Sequence, residues 1–521
     1  MNLSNADVIV LLAYLTGVTL MGIYFARRNT NTEEYFVGGR RFKGWVIGLS
    51  LVGTSISSIS FLAYPGDAYK TAYLRMLPNF MLPAGILIAS YIFLPFFRKN
   101  RITSAYEYLE MRFGPGVRVY GSITFIAGQM IRISSILYLL ALLLQNVTNL
   151  NLVTCIIIGG VFVSFYTVLG GIDAVIWTDV IQTVVLAIGG LLCLGVIVHA
   201  LPGGVSDIFE VGRAAGKFGF SELRNGLLHP VSWDITVQSK TATMMLVIGL
   251  TNWLTEYSCN QNTVQRYAAS RSTHDARVAM WVCALTSIPI WLFFMFLGTS
   301  LYVFYQAFPA EAATEMLDGA RKTEDILPYF IINELPAGLA GLVIAAALAA
   351  AMSSLDSSIN AISTVSIIDI YRRHLIRGRD DKHYLFVARW IAIAAGVLMI
   401  LGAVWLASTE TKTLQDTLTI LGSLVGGGLF GMYMCGMLTT AADQRAVFCG
   451  IIGTLLFTGW TVLSQKNLLP ECFTVPFDLY YTGVIGNLVM FLMGYLVGRT
   501  IFRNTKALTN LTIWTGKKEI S

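Results

Sequence analysis

One stretch decides the fold class of this chain, and it is Ala345-Ala-Ala-Leu-Ala-Ala-Ala-Met-Ser-Ser-Leu-Asp-Ser-Ser-Ile-Asn360. It continues an apolar run that begins at Leu339, so it predicts a hydrophobic helix that carries four serines and one carboxylate. Small and hydroxyl residues recur in it at the spacing of one helix face: Ala350, Ser353, Ser354 and Ser357. A carboxylate such as Asp356 costs about 2.5–3.5 kcal/mol at the centre of a bilayer, and carbonyl and hydroxyl oxygens suit a small hard cation. The stretch therefore predicts an ion-coupled membrane transporter.

The composition excludes a soluble protein. The chain has 521 residues, of which 55% are hydrophobic and 13% charged, and its mean hydropathy is +0.65. A soluble protein carries about 25% charged residues. The seven cysteines show no metal-ligand spacing, and the five histidines form no metalloenzyme motif. Because the sequence also contains no nucleophile motif and no cofactor fingerprint, we expect a secondary active transporter and not an enzyme.

Apolar runs of about 20 residues, the length that crosses a bilayer, occur about thirteen times along the chain. With the N-terminus outside, most lysines and arginines, Arg266 among them, fall in loops on the cytoplasmic side, as the positive-inside rule requires. We therefore expect a multi-pass protein of the cell membrane with an external N-terminus and a cytoplasmic C-terminus. These loops account for the net charge of +6, so no nucleic-acid partner is indicated, and we expect no obligate protein partner.

We expect short helices in three of the predicted loops. Residues 102–114 have the Ser/Thr start and the Gly stop of a short helix. The predicted outer loops 201–239 and 308–334 are longer, and we expect short surface helices in both.

Polar residues interrupt the second predicted span. Its sequence is Gly48-Leu-Ser-Leu-Val-Gly-Thr-Ser-Ile-Ser-Ser-Ile-Ser-Phe-Leu-Ala-Tyr-Pro65, with five hydroxyl residues between Thr54 and Ser60. This pattern favours a helix that unwinds at mid-membrane, where freed carbonyls line a cavity. Packing of small residues against a neighbouring helix is the alternative for the single hydroxyls. Residues 249–258 are again polar at depth, so two inverted halves would each open with a broken helix.

Two further charges lie inside predicted spans. Arg132 keeps its charge in proteins and needs an anionic partner, which is either a protein carboxylate or the carboxylate of a substrate. Asp179 lies near the start of its span, where it either caps a neighbouring helix or binds a cation. Asp179 and Asp356 also leave coupling to protons open as an alternative to coupling to sodium.

Three motifs in this order resemble the sodium:solute symporter family: Gly170-Gly-Ile-Asp-Ala-Val-Ile-Trp-Thr-Asp-Val-Ile-Gln182, Val264-Gln-Arg-Tyr267 and the Ser353-Ser354 helix. The resemblance covers nearly the whole chain. It implies an all-α integral membrane protein with a leucine-transporter-type inverted repeat of five plus five helices. The implied layout is an extra N-terminal helix and first cytoplasmic loop in 1–43, the first repeat in 44–200, an extracellular loop in 201–239, the second repeat in 240–440, and two C-terminal helices with a cytoplasmic tail in 441–521.

The resemblance also implies sodium as the coupling ion. The main sodium site would use the backbone carbonyls of Gly53, Ile56 and Ala350 with the hydroxyls of Ser353 and Ser354. Some family members bind a second sodium ion, at positions that correspond to Asp179, Ser353, Asp356 and Ser357. The sialic acid members have serine at the equivalent of Asp356, so a tighter cation site and a proton shared between two acids both stay open.

Within the family, the bacterial sialic acid transporters resemble this chain most, through residues 102–110, the hydroxyl run 54–60 and Arg132. Arg132 stands where those proteins use an arginine to hold the substrate carboxylate. Asn79 replaces a glutamine of those proteins, and Arg75 replaces an aromatic residue. The implied solute-binding residues are Ser55, Ser57, Ser60, Arg75, Asn79 and Arg132. We expect sodium-coupled import of a small polar, carboxylate-bearing solute by alternating access, and the alternative is sodium- or proton-coupled uptake of a neutral sugar, inositol or another small organic solute.

Overall fold

The protein is almost entirely helical. The computed structural model describes residues 4–27, 31–99, 102–148, 150–224, 226–408, 428–466 and 468–515. The helices of the first half are α1 (Asn5–Ala26), α2 (Thr32–Val37), α3 (Gly44–Ser55), α4 (Tyr64–Lys70), α5 (Leu82–Ile88), α6 (Leu94–Lys99), α7 (Glu107–Arg112), α8 (Pro115–Thr148), α9 (Leu152–Ala200) and α10 (Val205–Ala214). Those of the second half are α11 (Ala242–Cys259), α12 (Gln261–Ala269), α13 (Thr273–Ala307), α14 (Glu311–Asp318), α15 (Ile326–Glu334), α16 (Leu339–Val365), α17 (Asp381–Ser408), α18 (Leu429–Leu438), α19 (Gln444–Gln465) and α20 (Thr482–Thr500).

Short irregular segments and one hairpin complete the chain. The 3₁₀ and π-helical segments are Gly38–Arg40, Ile59–Ala63, Tyr73–Met81, Ala89–Phe93, Thr323–Asp325, Ser366–Leu375, Glu471–Phe473 and Leu479–Tyr481. Strands β1 (Ser221–Arg224) and β2 (Leu227–Pro230) pair antiparallel, with Leu223 opposite Leu228. This hairpin was not predicted. The predicted short helices are confirmed, since α7 lies within 102–114, α10 within 201–239, and α14 and α15 within 308–334.

Nine helices in the described part of the chain are long and apolar enough to cross a membrane, and the bent pair of α3 with Ile59–Lys70 supplies a tenth. The 49 residues of α9 would extend over about 74 Å as one straight helix, more than twice the hydrocarbon core of about 30 Å. Gly171, at φ 59° and ψ −167°, breaks α9 into two helices of membrane length. The protein is therefore multi-pass. The predicted span 414–440 lies largely outside the described residues.

The predicted interruption of the second span occurs, whereas the one expected within residues 249–258 does not. α3 ends at Ser55, Ile56 is extended, and the segment Ile59–Lys70 is bent by 61° from α3. The prediction that residues 249–258 contain the second interruption is wrong, because α11 continues through them. The chain turns at Asn260, whose side chain caps α12. A cap satisfies the first free N–H groups of a helix, so the cap sets the position of the break.

Among the described spans, the one that contains α16 is the most enclosed, with 89% of its apolar stretch buried. It packs most extensively against α9 and also contacts α1, α3, α8 and α17. At its first turn, the backbone N–H groups of Gly338 and Gly341 donate to Oδ1 of Asp7, at 2.8 and 2.6 Å. Asp7 also forms a capping box with Ser4 at the start of α1. One carboxylate thus caps the N-termini of two helices and joins α1 to α16.

Lys217, in the loop after α10, is 3% exposed. Its ammonium donates to the Tyr69 carbonyl at 2.6 Å and lies 4.1 Å from the centre of the Tyr302 ring. Burial lowers the pKa of Lys217 from 10.5 to about 7. Between these two values the unfolded chain binds a proton that the folded protein does not, so Lys217 makes the free energy of unfolding rise with pH in this window.

In the Lys217→Met variant, we expect the free energy of unfolding to lose the part of its increase with pH that is due to Lys217. The variant should gain most stability over the wild type at pH 6, where the wild-type ammonium is still charged and buried. Thermal unfolding of the detergent-solubilised protein from pH 6 to pH 10 measures the effect. The matched control is Lys466→Met, since Lys466 is exposed. An unchanged pH dependence in Lys217→Met would contradict the prediction.

Candidate ion and solute sites

The end of α3 forms a narrow cleft with α9 and α16. Among the residues that line it are four of the five predicted main sodium ligands: Gly53, Ile56, Ala350 and Ser353. The Ser353 hydroxyl donates to the Gly53 carbonyl at 2.7 Å. A Cβ atom at Gly53 would lie 3.2 Å from the Asp179 carbonyl, so glycine permits this close approach of α3 to α9. The structure therefore brings three carbonyls and one hydroxyl of the predicted set together.

The fifth predicted ligand turns elsewhere in this conformation. The Ser354 hydroxyl donates to the Thr54 carbonyl at 3.4 Å. The other described residues that line the cleft come from α9: Gln182, Thr183 and Leu186. The sequence analysis missed all three, although Gln182 closes the motif that begins at Gly170.

The predicted second sodium site contains a cationic side chain of the protein itself. Arg266 and Asp179 have side chains that are 1% and 0% exposed, and their Nη2 and Oδ2 atoms lie 2.8 Å apart. Nε of Arg266 donates to Ser50 Oγ at 2.8 Å, and Ser50 in turn donates to Asp179 at 2.5 Å. Nη2 of Arg266 also donates to the Ser357 hydroxyl. Arg266 thus lies between two of the residues predicted to hold the ion, and its role was not predicted.

Asp356 belongs to the same cluster but has neutral hydrogen-bond partners. The Tyr166 hydroxyl donates to its Oδ2 atom at 3.0 Å, and the Thr178 hydroxyl lies 3.5 Å from the same oxygen. The Ser357 hydroxyl donates to the Ser353 carbonyl at 2.5 Å, and its oxygen lies 3.2 Å from Asp356 Oδ1. The predicted members Asp179, Ser353, Asp356 and Ser357 are therefore close together. Arg266 pairs with Asp179, whereas Asp356 forms no ion pair among the described residues.

Arg132 of α8 lies beside the break of α3. Its Nη2 atom donates to the Thr54 carbonyl at 3.2 Å, one of the acceptors left free at the end of α3. Within the described ranges, Arg132 forms no ion pair with a carboxylate. A protein carboxylate, one of the two alternatives for its anionic partner, is therefore not paired with Arg132 among the described residues.

The three serines predicted to bind the solute contact nearby protein groups. Ser55 Oγ lies 3.9 Å from the Cys283 sulfur on α13. Ser57 Oγ accepts from the backbone N–H of Ile59 at 3.2 Å, and Ser60 Oγ accepts from the Trp291 indole at 3.3 Å. Ser55 and Ser60 thus connect the broken span to α13.

Arg75 and Asn79 line a separate cavity of about 380 Å³ beside Ile59–Lys70. Arg75 is paired with Asp67, and the Asn79 amide donates to the Tyr64 hydroxyl at 2.8 Å. The structure therefore brings Arg75 and Asn79 together in one cavity and places Arg132 at the helix break.

A further polar network, which the sequence analysis missed, lies one helical turn from Arg132. Gln129 Oε1 accepts from the Asn262 amide at 3.1 Å and from the Ser358 hydroxyl at 3.0 Å. Glu256 near the end of α11 accepts from Thr263 at 2.8 Å. All nine residues of α12 are buried. Sequence signals for this network were the polar stretch 249–258, which contains Glu256, the serine-rich stretch 345–360, which contains Ser358, and the motif Val264-Gln-Arg-Tyr267 on α12.

Known proteins share this sequence and fold. The model of the sodium:solute symporter family matches residues 35–453. The sodium/sialic acid symporter NanT of Aliivibrio fischeri is 32% identical over 95% of this chain and 93% of its own length. The sodium/sialic acid symporter SiaT of Proteus mirabilis is 32% identical over 93% of both chains.

More distant relatives include the human sodium-coupled monocarboxylate transporter 1, which is 29% identical over 92% of this chain and 76% of its own length. A solved structure of the substrate-bound, outward-open state of a Na⁺-coupled sialic acid symporter superposes with a TM-score of 0.84, at 31% identity, over 95% of this chain and 98% of that one. Sodium is the coupling ion, and the protein is a transporter and not an enzyme. The chain belongs to the sodium:solute symporter family.

Proposed function

We propose that this protein imports a sialic acid-like solute, small, polar and carboxylate-bearing, together with sodium. The position of Arg132 carries the proposal. Its guanidinium lies in a membrane-spanning helix, bonds to a carbonyl of the broken span, and has no carboxylate partner among the described residues. Arg132 is half-buried. An arginine at membrane depth without a counter-charge is costly, so an anionic solute that supplies the charge binds there favourably. The names of NanT and SiaT support this class of solute.

We also propose the finer layout of the predicted fold. The ten spans described above become thirteen with three additions. Gly171 divides α9 into two spans, α11 is a further span, and the apolar stretch 414–440, which contains α18, is the last. The inverted repeats would be 44–200 and 240–440. The broken starts of the two halves, at Ile56 and Asn260, support that pairing. The bias of basic residues supports an external N-terminus and a cytoplasmic C-terminus.

The proposed mechanism uses sodium as a link between α3 and α16. The ion would bind the carbonyls of Gly53, Ile56 and Ala350 and the hydroxyls of Ser353 and Ser354. Carbonyl and hydroxyl oxygens replace its water shell. This link would stabilise the state in which the solute site is formed, so sodium and solute raise each other's affinity.

The second cation position is a proposal of its own. Arg266 already neutralises Asp179 in this conformation. We propose that Asp179, Ser353, Asp356 and Ser357 receive a second sodium ion in a state in which Arg266 has moved away from Ser357. The buried carboxylate of Asp356, which carries no ion pair within the described residues, supports a cation at this point.

Uptake by the purified protein in liposomes tests the proposed function. We expect an inward sodium gradient to drive accumulation of labelled sialic acid, and an inward proton gradient alone to drive none. Excess unlabelled sialic acid should compete, whereas glucose, inositol and pantothenate should not. Liposomes without protein, and proteoliposomes whose sodium gradient is collapsed by an ionophore, are the controls. Competition by glucose or inositol and not by sialic acid would favour the neutral-solute alternative.

A further inference from the structure

Gln182 stands out because its polar atoms are buried without partners. The residue is 1% exposed. Among the described residues, neither Oε1 nor Nε2 has a partner at the distance and angle of a full hydrogen bond, and the Tyr14 hydroxyl is a polar neighbour. An unpaired amide in a dry interior costs about 1–3 kcal/mol. Native proteins rarely keep such a group unless an ion or water completes it. Gln182 therefore needs an ion or a water molecule in addition to any contact from a neighbouring side chain.

The position of Gln182 indicates which partner this is. Gln182 lines the same narrow cleft as Gly53, Ile56, Ala350 and Ser353. Ser354 instead donates to the Thr54 carbonyl. The cleft thus holds four oxygen donors of the main sodium site and one buried carboxamide. A carboxamide oxygen is a hard neutral donor of the kind that binds small hard cations in proteins.

Tyr14 links α1 to this amide. Its hydroxyl is buried, lies close to Gln182, and like the amide it has no partner of hydrogen-bond geometry in the described chain. α1 packs against both α9 and α16, so the two groups are held next to each other by the helix packing. If Oε1 of Gln182 binds an ion, Nε2 is left to face the Tyr14 hydroxyl. That hydroxyl can accept a hydrogen bond from the amide N–H.

We propose that Gln182 contributes its carboxamide oxygen to the sodium site and that Tyr14 positions this amide through its nitrogen. The inference rests on the proposed sodium site at Gly53, Ile56, Ala350 and Ser353 and adds a ligand to it. It also gives α1, which lies outside the proposed repeats, a role in ion binding.

Sodium-dependent thermal stabilisation of the detergent-solubilised, full-length protein measures binding without transport. A ligand that binds only the folded state raises its stability according to its concentration relative to the dissociation constant. Sodium is titrated against choline at constant ionic strength. We expect Gln182→Met, which lacks the oxygen at similar volume, to raise the half-saturating sodium concentration about tenfold or more. Gln182→Glu retains an oxygen and should keep the wild-type value or lower it.

The positioning role of Tyr14 predicts a smaller change. Tyr14→Phe should raise the half-saturating concentration about threefold, as expected for the loss of one neutral hydrogen bond. Tyr305→Phe is the matched control, because its hydroxyl is also buried without a partner but lies on α13, away from the cleft. The double variant Ser353→Ala with Ser354→Ala should lose the response and serves as the positive control.

Each outcome has a distinct meaning. A wild-type half-saturating concentration in Gln182→Met would overturn the inference and indicate that water alone completes the amide. If that variant does not fold, Gln182→Asn is used, because its side chain is one methylene shorter and its oxygen no longer reaches the ion. An unchanged half-saturating sodium concentration in Gln182→Asn would overturn the inference as well. Absence of any sodium response in the wild-type protein would overturn the proposed sodium site itself.

Discussion

Arg132→Ala is expected to abolish uptake of a carboxylate-bearing solute by the reconstituted protein. Removal of one partner of a desolvated, hydrogen-bonded charge pair costs about 2–5 kcal/mol of binding free energy, which lowers affinity by roughly 30-fold or more. Arg132 also donates to the Thr54 carbonyl, so the variant loosens the break of α3 as well. Uptake of labelled sialic acid under a sodium gradient is the measurement.

Two comparisons separate recognition of the carboxylate from a general loss of structure. Arg132→Lys keeps the charge but lacks the planar, two-pronged donor, so we expect partial uptake with a raised KM. Sodium-dependent thermal stabilisation should persist in Arg132→Ala, because its side chain is not one of the proposed sodium ligands. Normal uptake by Arg132→Ala would contradict the anion-binding role. Equal loss of uptake and of the sodium response would point to misfolding instead.

Arg266→Leu is expected to destabilise the protein by about 3–5 kcal/mol, because it leaves the carboxylate of Asp179 buried and unpaired. Both side chains are almost completely enclosed. Asp356 lies in the same cluster, so two acids would remain without a fixed cation. The drop in thermal stability of the solubilised protein measures the effect.

A second substitution tests the cause. Asp179→Asn in the Arg266→Leu background removes the uncompensated charge and should restore a large part of the lost stability. Arg445→Leu breaks a pair in which the arginine side chain is 73% exposed, and we expect a change of about 1 kcal/mol or less. Equal stability of Arg266→Leu and Arg445→Leu would contradict the buried-pair explanation.

Features that depend on polar residues within apolar runs could be predicted from the sequence. The hydroxyl run 54–60 correctly indicated the break at Ile56, because such residues disfavour a straight lipid-facing helix. The family resemblance implied that the serine face of α16 meets α3, and the bond from Ser353 to Gly53 provides such a contact. Residues 249–258 misled the prediction, since polarity marks depth in the membrane but the cap at Asn260 fixes the turn.

Other features depend on contacts between distant parts of the chain. Arg266 was counted among the basic residues of a cytoplasmic loop, yet it pairs with Asp179 at 2.8 Å, 87 positions away. The pairing of Arg75 with Asp67 also depends on the fold, because it forms when the segment Tyr73–Met81 folds back towards α4. The orphaned amide of Gln182 is likewise invisible in the sequence, because its isolation results from three helices that meet around it.

The double cap made by Asp7 has a consequence for spectroscopy. Because its carboxylate holds the first turn of α16 by two backbone bonds, α1 follows any displacement of α16 at that end. A spin label or fluorophore on the exposed side of α1, for example at Leu20, which is 61% exposed, would report the motion of α16. Such a probe leaves every proposed ligand unmodified, so distance changes during transport become measurable in an otherwise intact protein.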